Sequence, residues 1–431
     1  MPVTPPRTRF EQKLRAARLS QRELLRRFPE EAARLGEGEI FISERQLKRW
    51  LAGGAPTPRP VACRVLEAWW GEPVERLLGP PDEIATLGPD EGDVVTEAGR
   101  RSIEHAIDAA SALDPSALEH LRAAARRAAH AYLTTPPLEM LTDLVALRDT
   151  VYAQLDRTHK PRQQAELYLL AGQVCGLLSS VSFDLGHPGV AEELACAAHT
   201  YGSVIDHPSL CAWARGLQVT VAFWEGQPRR AVAIAESALI GAPAGTARVR
   251  LHATRARALA LIGARDEVTI ELTAAADQLD LAGRDEFLDG VGGELAFDRS
   301  RHALCASSAY VALADGQRAE TAASHALEIF AGLADHQRWR SGETSATVDL
   351  AMARALRGDL AGTETALDGV FTLPTTHRTE AVSRRLLGLG RILSVPRYRA
   401  ATEATRLAES IEVFTAASLA HTTAHPAIGP A

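Results

Sequence analysis

The strongest constraint in this chain is a recurrence of small residues in fixed register around Gly186, Gly226 and Gly263. Five residues after each glycine stand Ala191, Ala231 and Val268. Nine after come Ala195, Ala235 and Leu272, and twelve after come Ala198, Ala238 and Ala275. Seven residues before the glycines are Ser179, Val219 and Ala256, so a helix, a glycine turn and a second helix recur with gaps of 40 and 37 residues. Gly316 and Gly358 continue the pattern less regularly. Ala309 and Ala351 keep the preceding position, whereas Ala322 and Ala326 fit only after a slip of one residue. Small residues at helix crossings allow close approach, and a single hairpin cannot bury its own apolar face. Such hairpins therefore stack into a solenoid with a shared core.

Composition agrees with an all-α chain. Hydrophobic residues make up 46% but aromatic ones only 5%, which suits helices packed through small side chains better than a sheet rich in aromatic and β-branched residues. At 431 residues the chain exceeds one ordinary core, so a small domain joined to a larger one is expected. The net charge of −7 conceals an asymmetry. Residues 1–60 hold 13 Lys or Arg against 7 Asp or Glu, a net of +6, which leaves −13 for the remainder. Only the head suits phosphate.

The expected organisation is a compact helical head over residues 1–81, a linker over 82–95, the repeat domain over 96–415 and a disordered tail over 416–431. In the head, Ser20-Gln21-Arg22-Glu23 and Ser43-Glu44-Arg45-Gln46 each read as a capping box that launches a helix. The second helix runs through Leu47 and Trp50 and stops at Gly53-Gly54.

These head residues resemble the XRE-type helix-turn-helix of phage repressors, in the version common in actinobacteria. The resemblance rests on Ser20-Gln21, Leu47, Trp50, Gly53, Arg64-Val65-Leu66-Glu67 and Leu77-Leu78-Gly79. The remainder is similar to the tetratricopeptide (TPR) domains attached to such heads, including Asp184-Leu185-Gly186 and Trp224-Glu225-Gly226. Two features depart from the family: Pro29 to Ile42 is longer than its compact turn, and Leu51 stands where a Glu often follows the Trp. The resemblance implies a transcription regulator that binds a double-stranded DNA operator as a homodimer, with a repeat domain that senses a peptide or small molecule, mediates dimerisation, or both.

On this reading the third helix enters the major groove. Ser43, Arg45 and Gln46 meet base edges, with Lys48 and Arg49 on neighbouring faces and Gln21 holding a backbone phosphate. Arg pairs bidentately with guanine and Gln with adenine. In the repeats, Trp213, Arg215, Gln218, Trp224, Arg255, Arg301 and Tyr310, together with Arg257 and His302, are candidates to line a concave effector groove. The alternative for each of these is ordinary packing and surface.

Catalysis has no candidate: nucleophile elbow, HExxH pair and CxxC are all missing, so an enzyme is not expected, and neither is a cofactor. Cys63, Cys175, Cys196, Cys211 and Cys305 are odd in number and lie in helical patterns, which fits neither a disulfide framework nor a zinc ribbon and implies a reducing cytosol. His421 and His425 are spaced for a metal on a helix, but their Thr, Ala and Pro neighbours argue against one. No run of 18 apolar residues occurs, so a cytoplasmic protein without membrane association is expected. The rival to a regulator is an interaction adaptor whose degenerate head has lost useful DNA affinity, a reading favoured by the long Pro29 to Ile42 insertion.

Overall fold

The computed structural model describes residues 6–17, 19–38, 40–53, 58–81, 91–109 and 114–420. Among them every regular element is helical. The chain divides into two compact units, Met1–Arg100 and Arg101–Ala431.

The first unit is built from α1 (Arg9–Ala16), α2 (Gln21–Arg34), α3 (Glu44–Ala52), α4 (Pro60–Trp70) and α5 (Val74–Leu77). Each presents an apolar stripe at helical spacing. Phe10, Leu14, Leu24, Phe28, Leu47, Trp50, Leu66 and Leu77 meet in one core. Ser43 and Gln46 form the complete reciprocal box at the start of α3. At α2 only half of the expected box exists: Ser20 Oγ accepts the Glu23 amide at 3.1 Å, while the Glu23 carboxylate turns to Arg27 at 3.1 Å. A charged partner one turn ahead outcompetes the cap amide. The insertion after α2 is shorter as a loop than its sequence suggests. Helix α2 continues through Pro29 to Arg34, burying Ala32, so the apolar stripe past the proline offsets the lost backbone hydrogen bond and the clash with the preceding turn that a proline brings.

Arg9 and Lys13 of α1 converge on Glu72 in the turn between α4 and α5, Arg9 through two guanidinium nitrogens and Lys13 at 2.8 Å. The hydrogen bonds from Arg9 hold the Glu72 carboxyl down to about 2. A depressed carboxylate stabilises fully above its ordinary value near 4.5, and that stabilisation is lost as pH falls toward 2. Glu72→Gln is therefore expected to raise amide exchange rates in α1 at pH 7, by an amount equivalent to about 1 kcal/mol. The difference from the parent chain should close as the pH approaches 2.

Helix α6 (Glu91–Ala109) begins inside the stretch expected to be linker, and residues 82–90 lie outside the described residues. The second unit follows with α7 (Pro115–Ala131), α8 (Pro137–Arg157), α9 (Pro161–Asp184), α10 (Pro188–Val204), α11 (Pro208–Trp224) and α12 (Pro228–Gly241). Next come α13 (Thr246–Leu261), α14 (Arg265–Leu279), α15 (Leu288–Val291), α16 (Arg299–Ala312) and α17 (Gly316–Gly332). The series ends with α18 (Arg340–Arg357), α19 (Leu360–Phe371), α20 (Glu380–Leu393) and α21 (Thr402–Ala416). Proline opens six consecutive helices, from α7 to α12, where its missing N–H has no helical partner to lose.

Helices α9, α11, α13, α16, α18 and α20 pack side by side as an inner layer, each paired with the outer helix that follows it. Inner helix α9 is covered by neighbours on all sides, which is why it is so apolar. It is long and apolar enough to span a membrane, yet 83% of its most apolar stretch is buried in this layer.

The irregular register expected at Gly316 has a simple cause. The left-handed turn residues are Gly186, Gly226, Gly263, Ala314 and Gly358, with φ of 84°, 73°, 78°, 55° and 93°. Counted from Ala314, the positions five residues on are Ala191, Ala231, Val268, Ala319 and Thr363, all fully buried. An alanine holds a conformation that usually selects glycine, and this hid the register.

The spacing between the third and fourth turns is lengthened by the segment linking α14 to α16, which folds inward. Its Glu294 N–H donates to the Ala129 carbonyl at 3.0 Å, and Phe287 packs edge-on to Trp213. Gly293 is required there, because a Cβ would lie 2.2 Å from the Ala129 oxygen.

The last hairpins return to the first. Arg384 of α20 donates to the Trp224 carbonyl and pairs with Glu225 at 3.0 Å, and the Arg340 amide donates to the Leu133 carbonyl at 2.9 Å. Leu419 joins the core formed by α7, α8 and α9. The chain is thus ordered past the boundary expected at 416: Ser418 and Leu419 are buried. Residues 421–431, with His421 and His425, lie outside the described residues.

Candidate functional site

Two surfaces have the chemistry of recognition, and each belongs to one unit. In the first unit, Leu47, Trp50 and Leu51 anchor α3 in the core, while Arg45, Gln46, Lys48 and Arg49 are exposed. The six sequence-derived DNA contacts separate by what else they do. Arg45 and Arg49 form no ion pair with a described residue. Lys48 is held by Glu44 at 2.6 Å. Ser43 and Gln46 are occupied by capping: the Ser43 amide donates to Gln46 Oε1 at 2.8 Å, and the Gln46 amide to Ser43 Oγ at 3.2 Å. Gln21 is exposed in the first turn of α2, beside amides that point along the positive end of the helix dipole. Arg45 and Arg49 are therefore the donors of this face left without a partner among the described residues, and Gln46 is a structural residue.

In the second unit the inner layer curls around a cavity with about 100 Å³ of water-accessible space. One stripe of each inner helix faces it. Helix α9 supplies Phe183 and Asp184, α11 supplies Val221 and Trp224, and α13 supplies Arg250 and Arg257. Helix α16 adds Arg301 and Cys305, and α20 adds Arg385. The inward segment after α14 contributes Glu294 and Phe297.

Of the nine groove candidates, Trp224, Arg257 and Arg301 line this cavity. Trp213 shares the stripe of Trp224 on α11 but is fully buried. Phe287 covers it, and Gly176 makes room for it, since a Cβ there would lie 2.2 Å from the indole. Arg215 and Gln218 turn outward, with Gln218 Nε2 donating to Cys196 Sγ at 3.2 Å and its Oε1 accepting from Arg215 at 2.9 Å. Arg255 points to Glu271 of α14 at 2.7 Å. His302 bonds the Leu272 carbonyl at 3.1 Å, and Tyr310 lies against Arg318 of α17. These residues lie off the inner stripes because the sequence gives helical period without phase. The available clue was spacing: Arg250, Thr254 and Arg257 fall at i, i+4 and i+7 on an otherwise small-residue helix.

The cavity sets buried charges into a largely apolar lining. Glu294 bridges two arginines, Arg301 at 2.8 Å and Arg250 at 3.6 Å. Arg250 Nη2 also donates to the Glu294 carbonyl at 2.6 Å. Asp349 of α18 accepts from Arg385 at 3.1 Å and from Ser307 and Ser308 at 2.8 and 2.6 Å. Asp184 accepts from Tyr132 Oη at 2.7 Å. Burial, opposed by that hydrogen bond and helped by Glu294 and Glu380, pushes the Asp184 carboxyl up to about 7. A raised carboxyl binds its proton longer in the folded than in the unfolded chain, so it makes stability fall as pH rises from the usual carboxylate range to 7. Asp184→Asn keeps the acceptor for Tyr132 and removes this loss. The variant is expected to unfold roughly 2–4 °C above the parent at pH 8, with the gap closing at pH 4 in a thermal melt.

Comparison with protein-family models and with curated proteins gives no match for this chain, so the functional reading rests on these two geometries.

Proposed function

We propose that this chain is a sequence-specific DNA-binding transcription regulator. The observation that carries the reading is α3: a short helix with a complete N-terminal cap, an inward Leu47-Trp50-Leu51 stripe and, on its outer face, Arg45 and Arg49, which form no ion pair with a described residue. A helix of this kind suits insertion into a major groove, with guanidinium forks presented to guanine O6 and N7. The positive balance of residues 1–60 supplies the phosphate attraction that the acidic remainder lacks. The XRE-like resemblance of the same residues points the same way and adds the expectation of a homodimer, to be checked by molar mass in solution.

The repeat unit is proposed as the sensor. Its cavity, with about 100 Å³ of water-accessible space, suits a small molecule better than an extended peptide. Ligand binding changes operator affinity only as far as the ligand prefers one arrangement of the heads over another.

Capture of genomic DNA on the tagged full chain tests the proposal. Enrichment of a short repeated motif is the expected outcome. Failure to enrich any motif would favour the adaptor reading and redirect the search to protein partners of the solenoid.

A further inference from the structure

We propose that the cavity lined by the inner helices of the second unit binds a small organic anion, a carboxylate or phosphate carried on an apolar body, with the charged head against Arg257. Every other arginine of the cavity has its counter-charge: Arg250 and Arg301 share Glu294, and Arg385 has Asp349. Arg257 has no carboxylate in ion-pair contact among the described residues, and Asp349 acts on it only at longer range. Its guanidinium stacks on Phe223 at 4.3 Å and on Trp224 at 5.3 Å, and Cys305 is its side-chain hydrogen-bond partner. Burial, and then the nearby Arg385, hold it down to about 10.

Charge bookkeeping across the site leaves an excess of positive charge: four guanidinium groups face Glu294 and Asp349, with Asp184 poised near neutrality. An uncompensated cation shielded from water is costly, and a ligand carrying the opposite charge removes that cost. Phe297, Leu217 and Val221 supply an apolar part of the lining, beside the hydroxyls of Ser179, Thr220 and Thr254. The water-accessible space of about 100 Å³ holds roughly seven water-sized groups. A second chamber of about 170 Å³ lies beyond Tyr132, Asp184 and Trp339, which line both. Thr134, Ser341 and His377 add polar groups to its lining.

The effector role of this anion rests on the DNA-binding reading above; its binding does not. Thermal unfolding of the full chain with sodium phosphate and, separately, sodium benzoate, against sodium chloride at equal ionic strength, tests the site and distinguishes the two head groups. At least one probe is expected to raise the unfolding temperature of the helical unit saturably by roughly 3 °C or more. Arg257→Gln is expected to weaken that probe at least tenfold, while Arg406→Gln, on the outer surface, leaves it unchanged. Should Arg257→Gln fail to fold, Arg257→Lys keeps the charge but loses the planar fork, and a loss of at least threefold is expected. The proposal is overturned if neither probe exceeds chloride, or if the Arg257 variants bind as the parent does. A probe that binds without altering affinity for captured DNA supports the site and removes its effector role. Binding by a chain that captures no DNA supports the site and removes the regulator reading alone.

Discussion

Replacing Arg45 by Ala is expected to weaken binding to a captured operator duplex by roughly 5- to 150-fold, and replacing Arg45 and Arg49 together by on the order of a thousandfold, because a bidentate arginine–guanine contact discriminates by about 1–3 kcal/mol. Neither side chain packs in the core or holds an ion pair with a described residue, so the helical circular dichroism and melting temperature should not move. Gln46→Ala should behave in the opposite way. Its side chain closes the capping box, so its loss costs about 1 kcal/mol of local stability and changes base preference little. Lys48→Ala should weaken all duplexes alike and flatten the salt dependence by about one charge. Unchanged affinity in the Arg45 and Arg49 double variant would remove α3 as the reading element.

Replacing Glu294 by Ala should be the most destabilising single change in the helical unit. Its carboxylate is buried between Arg301 and Arg250 and accepts from Ser180 Oγ at 3.3 Å. Removing one partner of a buried ion pair leaves the other charge uncompensated, at about 3–5 kcal/mol. For a unit of this size that corresponds to a fall of roughly 10 °C in the unfolding temperature. The companion substitution Arg301→Met in the Glu294→Ala background should recover part of the loss, since one orphaned cation disappears with its partner. If Glu294→Ala melts within 2 °C of the parent, the inward segment is not what locks the cavity.

Much of this architecture was legible in the sequence, and the failures share a cause. The small-residue recurrence marked the hairpins, and the capping residues located α2 and α3. The fourth hairpin escaped because Ala314 stands where glycine was sought. The cavity escaped because its formation depends on long-range contacts. Arg384 reaches Trp224 across 160 positions, and Glu294 enters from an inserted segment. Neither contact leaves a periodic trace. Residue type alone picks out Trp224, Arg257 and Arg301, whereas Arg250, Glu294 and Arg385 need the phase of each inner helix. Trp213 shows the converse: a large aromatic on the correct stripe becomes core once Phe287 covers it.

The most direct measurement of the central claim is the ratio of affinities of the full chain for a captured duplex and for its scrambled sequence, at about 0.15 M salt. A sequence-specific regulator should prefer the captured duplex by about a thousandfold or more, and the preference should collapse with Arg45→Ala and Arg49→Ala. A ratio near one, with binding that fades in parallel for both duplexes as salt rises, would contradict the regulator reading.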